Sequence, residues 1–260
     1  MRDWRLVLWL MRCEMRNGLR GFQVFLACLA LGVSAIAGVG SIRSSVTAGL
    51  EANAQNLLGG DIDLRLLHRD FSTEQQAWLQ AEAIGISAIV KMRAMARPVD
   101  NLDKRNLIEL KAVDTAYPLF GRFVSSPSAP LQELLRHSAG TWGAVADSNL
   151  LSRLGLVVGG QIQVGTAVFT IRAKVVSEPD RATSLLSLGP RFLVSKGALA
   201  ATGLVQPGSQ ISYHTRIALA GGVDPVDWRS RLAAAFPKAG WRVRGLDNAA
   251  PGVQRFVDRM

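Results

Sequence analysis

The residue types that usually carry chemistry are sparse and scattered in this chain. Its three histidines, His68, His137 and His214, lie far apart, and none has a second ligand at the spacing of a metal site. An exposed position is the simplest interpretation for each of them. Two carboxylates, Asp61 and Asp63, alternate along a predicted strand, and we expect both to face solvent. These patterns therefore predict no metal site.

Motifs for nucleophiles and nucleotides are absent from the sequence. The two cysteines, Cys13 and Cys28, precede residue 44, which excludes disulfides and thiol catalysis from the rest of the chain. The sequence has neither a phosphate-binding G-x-x-x-x-G-K-[ST] loop nor a G-x-S-x-G elbow. Serine catalysis with His137 or His214 stays open, although no local pattern supports it. We therefore name no catalytic, cofactor-binding or metal-ligating residue, and we expect no cofactor.

The charge of the chain is strongly basic but diffuse. Its 30 Lys and Arg residues exceed its 20 Asp and Glu residues, giving a formal net charge of +10. The basic residues do not form a cluster of the kind that follows nucleic-acid phosphates. The charge therefore indicates a solvated basic surface, and we expect no nucleic-acid partner.

One long uncharged segment, residues 21–42, dominates the N-terminal part. As a helix it spans about 33 Å, enough to cross a hydrocarbon core of about 30 Å, so a transmembrane helix is predicted over 21–43. Its many small residues favour close packing against other membrane helices. Two alternatives are a buried core helix and a signal peptide cut after Ala35-Ile36-Ala37. The uncharged run continues past that triplet, which favours a retained membrane helix.

The distribution of arginine predicts the orientation of this helix. The first 43 residues hold 6 of the 30 basic residues and only 2 of the 20 acidic ones. An excess of arginine marks the cytoplasmic flank, so residues 44–260 are predicted to be periplasmic, across the inner membrane. Residues 1–20 include Trp4 and Trp9, which favours a segment lying in the cytoplasmic interface and contacting membrane lipids. The alternative is the lower end of the same helix, kinked at Asn17-Gly18.

The remainder of the sequence alternates between helical and strand patterns, which predicts an α+β domain. An amphipathic helix over 44–58 continues from the membrane as a stalk and ends at Gly59-Gly60. A strand over 61–66 is followed by a helix that opens with a capping box, Ser72 to Gln75. Further strands are predicted at 86–98, 106–113, 142–146, 161–164, 167–176, 191–195, 210–220 and 240–245, and further helices at 131–137, 148–155, 196–202 and 224–236.

Two loops and the C-terminal end stand out. Tyr117-Pro118 is predicted to be a packed turn, and a ligand contact is the less favoured alternative. Glu178-Pro179-Asp180-Arg181 is predicted to be an internal ion-pair loop, which we favour over a contact with substrate or partner. Residues 251–260 resemble the first turns of an amphipathic helix without a C-cap, so a longer natural protein is expected.

A set of short motifs, in a fixed order from about residue 12 onward, resembles the FtsX-like/MacB-like permeases of ABC transporters, and more narrowly their YbbP-type subgroup. The motifs are Arg16-Asn17-Gly18-Leu19-Arg20-Gly21-Phe22, Leu57-Leu58-Gly59-Gly60-Asp61, Ala112-Val113-Asp114, Tyr117-Pro118-Leu119-Phe120-Gly121, Leu154-Gly155-Leu156-Val157-Val158-Gly159, Glu178-Pro179-Asp180-Arg181, Leu188-Gly189-Pro190-Arg191 and Gly203-Leu204-Val205-Gln206-Pro207-Gly208-Ser209.

The resemblance implies a first membrane helix followed by a MacB-like periplasmic core domain, an α+β domain of two subdomains. Because both ends of that domain must return to the membrane, we expect residues 44–113 and 210–260 to be membrane-proximal and residues 114–209 to be distal.

The resemblance also implies a permease that is not itself an enzyme and that works with a separate cytoplasmic ATPase subunit. ATP hydrolysis would move the periplasmic domain, for export or extraction of a lipophilic substrate. A permease dimer and a periplasmic partner are further candidates. The alternative is a membrane-anchored or secreted periplasmic adaptor or binding protein without transport activity.

Overall fold

The computed structural model describes residue 9, residues 22–35, 37–39, 41, 55–56, 58–101, 103–180 and 189–246. The chain divides into two units, residues 1–50 with 255–260, and residues 51–254. The predicted interfacial segment (except Trp9), most of the predicted stalk and the C-terminal helical pattern lie outside the described residues.

The first unit contains a single described helix, α1 (Phe22–Val39), in the segment where the sequence predicts one. It is long and apolar enough to cross a membrane, and none of it is buried by other parts of the chain. A helix that packs in the core of a soluble protein is normally covered. The exposed apolar surface of α1 is therefore consistent with a lipid environment.

After Gly59, the described residues of the second unit form eleven strands and five helices. The strands are β1 (Ile62–Leu67), β2 (Gly85–Pro98), β3 (Asn106–Val113), β4 (Val124–Ser126), β5 (His137–Ser138), β6 (Thr141–Ala146), β7 (Gln161–Val164), β8 (Ala167–Ser177), β9 (Arg191–Ser195), β10 (Ile211–Ala218) and β11 (Arg242–Gly245). The helices are α2 (Thr73–Glu82), α3 (Leu131–Leu135), α4 (Ser148–Leu154), α5 (Lys196–Ala201) and α6 (Pro225–Ala235). The predicted α+β class is confirmed, and β4 and β5 are the strands that the sequence patterns missed.

Four strands form an antiparallel layer in the order β11-β1-β10-β2. The units β1-α2-β2 and β10-α6-β11 interlock, since each has a strand of the other between its own two strands. This is a double split βαβ arrangement. Helices α2 and α6 contribute Leu79, Trp228 and Leu232 to an apolar cluster with the inward residues of β1, Ile62, Leu64 and Leu66. One face of this layer is thus covered by helices.

The second part of the sheet closes on itself. Strands β2, β3, β9, β6, β8 and β7 pair in that sequence, and β7 pairs back to β2. Closure removes free edges from these six strands. The apolar cluster of this barrel includes Phe169, Phe192 and Leu110, and side chains of α4 and α5 pack into the same cluster. The long strand β2 belongs to both parts of the sheet and joins them.

Local signals fix where the helices begin and end. At the start of α2, the Ser72 side chain accepts a hydrogen bond from Gln75 N (3.2 Å), and Gln75 Oε1 accepts one from Ser72 N (3.0 Å). The predicted capping box is therefore confirmed. Before β1, Gly59 has a φ of 74° and its N–H donates to Gln55 O at 2.7 Å. Glycine adopts this left-handed conformation without strain, so Gly59 ends the helix as predicted.

We expect Ser72→Ala to lower the free energy of unfolding by about 1 kcal/mol, because it leaves the Gln75 N–H of α2 without its side-chain acceptor. Equilibrium urea denaturation, followed by tryptophan fluorescence, measures this difference. Ser128→Ala, on an exposed loop, is the matched control and should change the stability by less than about 0.5 kcal/mol. Equal losses in both variants would contradict the capping role.

Candidate functional site

The face of the four-stranded layer opposite α2 and α6 carries charged residues. Along β1, Ile62, Leu64 and Leu66 enter the helix-covered cluster, so Asp63 and Arg65 face the other way. On β10, Arg216 lies opposite Asp63 and His214 lies opposite Arg65. The strand register therefore gathers ionisable side chains on this helix-free face, and the barrel strands β3 and β9 extend the row.

Lys111, on β3, lies at the centre of the charged cluster and is fully buried. Its Nζ donates to Glu178 Oε1 at 2.6 Å and to Asp180 Oδ1 at 2.8 Å. It also donates to Tyr117 Oη at 2.8 Å and lies 4.2 Å from the centre of the same ring. All three donor positions of the ammonium group thus have partners, which offsets its desolvation.

Two arginines extend this centre on either side. The Arg191 side chain bridges Glu178 (Nε to Oε2, 3.0 Å) and Glu109 (Nη1 to Oε1, 2.6 Å). The Arg216 side chain bridges Asp180 (Nη2 to Oδ2, 3.3 Å) and Asp63 (Nη1 to Oδ2, 3.3 Å). Charges of opposite sign therefore alternate along one chain of contacts, which we call the ion network: Glu109, Arg191, Glu178, Lys111, Asp180, Arg216 and Asp63.

Two further groups touch the ion network. His214 Nδ1 lies 3.0 Å from Asp63 Oδ1, and Lys91 Nζ lies 3.9 Å from Asp180 Oδ2. Burial lowers the pKa of His214 to about 4, assisted by the positive charges of Lys91 and Arg216 and opposed by Asp63. The imidazole is therefore neutral at neutral pH, and Nδ1–H donates to Asp63. Burial likewise lowers the pKa of Lys91 to about 8.

The buried carboxylates stay ionised because of their cationic neighbours. Burial alone raises the pKa of Asp180, but Lys111, Lys91 and Arg216 outweigh it and hold that pKa below its ordinary value. Asp63 behaves in the same way, with Arg216 as its main partner. Burial and the charges of Asp180 and Glu178 raise the pKa of Tyr117, so its hydroxyl stays protonated. Within the ion network, Asp63 and Asp180 are thus held as carboxylates by the cations that contact them.

The ion network lies beside the end of the helix that precedes β1. Gln55 Nε2 donates to Asp61 Oδ1 at 2.7 Å, and Asp61 Oδ2 accepts from Leu219 N at 2.8 Å. Asp180 N donates to Asn56 O at 3.1 Å. A Cβ added to Gly59 would lie 3.2 Å from Asp180 Cβ. The residues entering the domain are therefore held by direct bonds to Asp61 and to a member of the ion network.

The structure confirms some site predictions and corrects others. Glu178 and Asp180 form internal ion pairs as predicted, Arg181 of the same predicted loop lies outside the described residues, and Tyr117 is packed within the domain. His68 and His137 are exposed, as predicted. The expectation for His214 is wrong, because this side chain is buried against Asp63. The expectation of solvent-facing carboxylates at Asp61 and Asp63 is also wrong.

The reason for these errors is that neighbouring groups cover both carboxylates, although a cleft opens on the same face of the layer. Asp61 is 7% exposed and is bonded to the Gln55 amide and to Leu219 N, whereas Asp63 is 1% exposed and contacts His214 and Arg216. Strand alternation predicts which residues share a face, but it does not reveal what covers that face. Sequence reasoning also missed Lys111 and Arg216. The only signal for Lys111 is its position between apolar residues near the end of NLIELKAV, and the more polar strand ISYHTRIA gives no comparable signal for Arg216.

The sequence aligns with that of a curated protein over most of its length. It is 27% identical over 232 residues to the uncharacterised ABC transporter permease YbbP of Escherichia coli K12, covering 89% of this chain. This chain is therefore similar in sequence to an ABC transporter permease of the YbbP type. The resemblance inferred from the motifs is thereby confirmed. The chain spans 27% of the length of that relative, and no family model matches the sequence.

Solved structures of transporter domains are also similar to this chain. The periplasmic region of MacB from Actinobacillus actinomycetemcomitans has a TM-score of 0.49 at 10% identity, covering 80% of this chain and 97% of that one. The extracellular domain of the noncanonic ABC-type transporter YknZ from Gram-positive bacteria has a TM-score of 0.43 at 10% identity, covering 71% and 100%.

Proposed function

We propose that this chain is the N-terminal part of an ABC transporter permease subunit. In this proposal a separate cytoplasmic ATPase hydrolyses ATP and moves the periplasmic domain, for export or extraction of a lipophilic substrate. The observation that carries the proposal is the alignment with a permease over 89% of the chain. The apolar helix α1, followed by a folded α+β domain, supports it.

The proposed topology places the N-terminus in the cytoplasm, α1 in the inner membrane and residues 44–260 in the periplasm. The arginine excess before α1 supports this orientation. We propose that residues 44–113 and 210–260 form the membrane-proximal subdomain and residues 114–209 the distal one. Pairing of β1 with β10 and β11 supports this division, because it joins both segments in one layer.

The ion network offers a physical means of coupling. The movement of a helix is passed to a domain only if the residues that connect the helix to the domain are rigid. Asp61 bonds both Gln55 and Leu219, and Asp180 bonds Asn56 as well as Lys111. The bonds of the Asp61 carboxylate to Gln55 and Leu219, and of the Asp180 carboxylate to Lys111, are charge-assisted and therefore stronger than neutral ones. We propose that residues 55–61 are the junction through which movement of the membrane helices reaches the domain.

Purification of the natural protein in mild detergent tests the proposal. We expect an ABC ATPase to co-purify with it, and we expect hydrogen exchange in residues 55–61 to differ between the nucleotide-free and vanadate-trapped complexes. Asp61→Ala should keep the ATPase bound but remove the nucleotide dependence, since it breaks the bonds to Gln55 and Leu219. Asp100→Ala, at an exposed turn, is the matched control and should behave as wild type.

The second candidate function is a periplasmic adaptor or binding protein without transport activity. It predicts that no ATPase co-purifies and that a periplasmic protein takes its place. Unchanged hydrogen exchange at the junction in a complex that does contain the ATPase would contradict the proposed coupling while leaving the permease assignment intact. We also propose that residues 1–20 contact membrane lipids and that the permease forms a dimer. The same purification would reveal bound lipid and the oligomeric state.

A further inference from the structure

A cleft of about 840 Å³ opens on the helix-free face of the four-stranded layer. Strands β1, β10 and β2 contribute its floor, and the loop before β10 contributes Leu204, Ser209 and Gln210. The lining is strongly basic. Five cationic side chains line it, namely Arg65, Lys91, Arg93, Arg216 and Arg244, against two carboxylates, Asp63 and Glu109.

The two carboxylates in the cleft are already engaged within the ion network. Asp63 pairs with Arg216 and His214, and Glu109 pairs with Arg191. Within the described part of the chain, no carboxylate oxygen lies within 4.0 Å of the guanidinium groups of Arg65, Arg93 and Arg244. These three arginines therefore give the cleft an excess of positive charge that the chain's described residues do not neutralise.

Three nitrogen atoms of cleft residues also have unused hydrogen-bonding capacity. Arg65 Nε and the Nε and Nη1 atoms of Arg216 are buried, and none of them has a hydrogen-bond partner among the described residues. The side chain of Arg216 is only 3% exposed. A buried donor without an acceptor costs about 1–3 kcal/mol, so a ligand that supplied oxygen acceptors here would gain from satisfying it.

Repulsion among the cations points to the same kind of ligand. After burial itself, the charges of Lys111 and Arg216 contribute to the lowered pKa of Lys91. Burial and then the charges of Arg242, Arg65 and Arg216 lower the pKa of Arg244, against the opposing effect of Asp63. An anion bound between these groups would offset both effects, since an opposite charge stabilises the protonated forms.

We propose that this cleft binds a phosphate group, carried either by a free phosphate compound or by a phospholipid headgroup. Phosphate fits better than a single carboxylate, because its several acceptor oxygens match several planar guanidinium forks. The cleft is much larger than phosphate alone, and apolar side chains such as Leu67, which is 51% exposed, lie at its rim. The site would therefore accommodate the atoms attached to the phosphate. Nothing in this chemistry requires the transport function.

Calorimetric titration of the 260-residue chain in a non-ionic detergent tests the proposal. The probes are inorganic phosphate, dihexanoyl phosphatidic acid and dihexanoyl phosphatidylcholine, which hides its phosphate behind a choline cation. We expect phosphatidic acid, inorganic phosphate or both to bind more tightly than phosphatidylcholine. Binding of phosphatidic acid alone assigns the site to a lipid headgroup, and equal binding of inorganic phosphate assigns it to free phosphate compounds.

Control arginine substitutions outside the cleft make the test specific. Arg93→Gln and Arg244→Gln should each weaken binding about tenfold, because each removes a charge-assisted hydrogen bond. Arg97→Gln on β2 and Arg153→Gln on α4 remove equal charge from exposed positions outside the cleft, and should have little effect. No binding of either anionic probe, equal binding of phosphatidylcholine, or equal weakening in all four variants would overturn the proposal.

Discussion

Replacement of Lys111 by alanine is expected to lower the free energy of unfolding by about 3–5 kcal/mol, because it leaves two buried carboxylates without their shared cation. Glu178 and Asp180 both lie within 2.8 Å of the Lys111 ammonium group, and all three side chains are at most 1% exposed. A typical domain is stable by about 5–15 kcal/mol, so the loss is a large part of the total. Urea denaturation of the chain in detergent measures it.

Two comparisons separate lost charge from lost packing. Lys174→Ala, at an exposed position on β8, should change the stability by less than about 0.5 kcal/mol. Lys111→Met keeps most of the side-chain volume and should be nearly as unstable as Lys111→Ala. The deficit of both variants should shrink as the pH falls, because protonation then neutralises the abandoned carboxylates. Full recovery of stability in Lys111→Met at neutral pH would show that packing, not charge, explains the loss.

Several ends of helices and strands could be predicted, because the residues that determine them are close together in the sequence. The capping box from Ser72 to Gln75 fixes the start of α2, and Gly59 ends the helix before β1. Alternation of apolar and polar residues predicted β1, β7 and β8 within one or two residues of their observed ends. These signals depend only on residues a few positions apart, so one sequence suffices to find them.

The ion network was only partly predictable, because its partners are distant in sequence. The loop of Glu178 and Asp180 suggested internal ion pairs, but their partner Lys111 lies 67 and 69 residues away. Lys111 is buried because β3 lies between β2 and β9, with apolar clusters on either side of the sheet. Leu110 and Ala112 enter the barrel cluster, so Lys111 faces the other side of β3, where Tyr117, Glu178 and Asp180 cover it, and no local pattern encodes that cover. The only local sign of this burial is that Lys111 stands between the apolar residues Leu110 and Ala112.

His214 provides the second large effect, which is a loss of stability in mild acid. Its pKa is about 4 in the folded chain against an ordinary value of 6.5. In the pH range between those values the unfolded chain binds a proton that the folded chain does not, so stability falls as the pH decreases. The free energy of unfolding that the neutral His214 contributes is fully present above pH 6.5. About 3 kcal/mol of it is lost as the pH falls from 6.5 to 4. Most of the carboxylates titrate at lower pH, which leaves the range from 6.5 to about 5 to this histidine.

Stability should therefore be measured by urea denaturation at several pH values for wild type and His214→Gln. Glutamine can still donate a hydrogen bond to Asp63, but it does not titrate, so the variant should lose the slope between pH 6.5 and 5. His68→Gln and His137→Gln are matched controls on exposed histidines and should keep the slope. Because Asp63 also pairs with Arg216, its carboxylate remains ionised in the variant and continues to stabilise the fold at neutral pH. A slope that survives in His214→Gln, or that disappears in either control, would show that the acid sensitivity arises elsewhere.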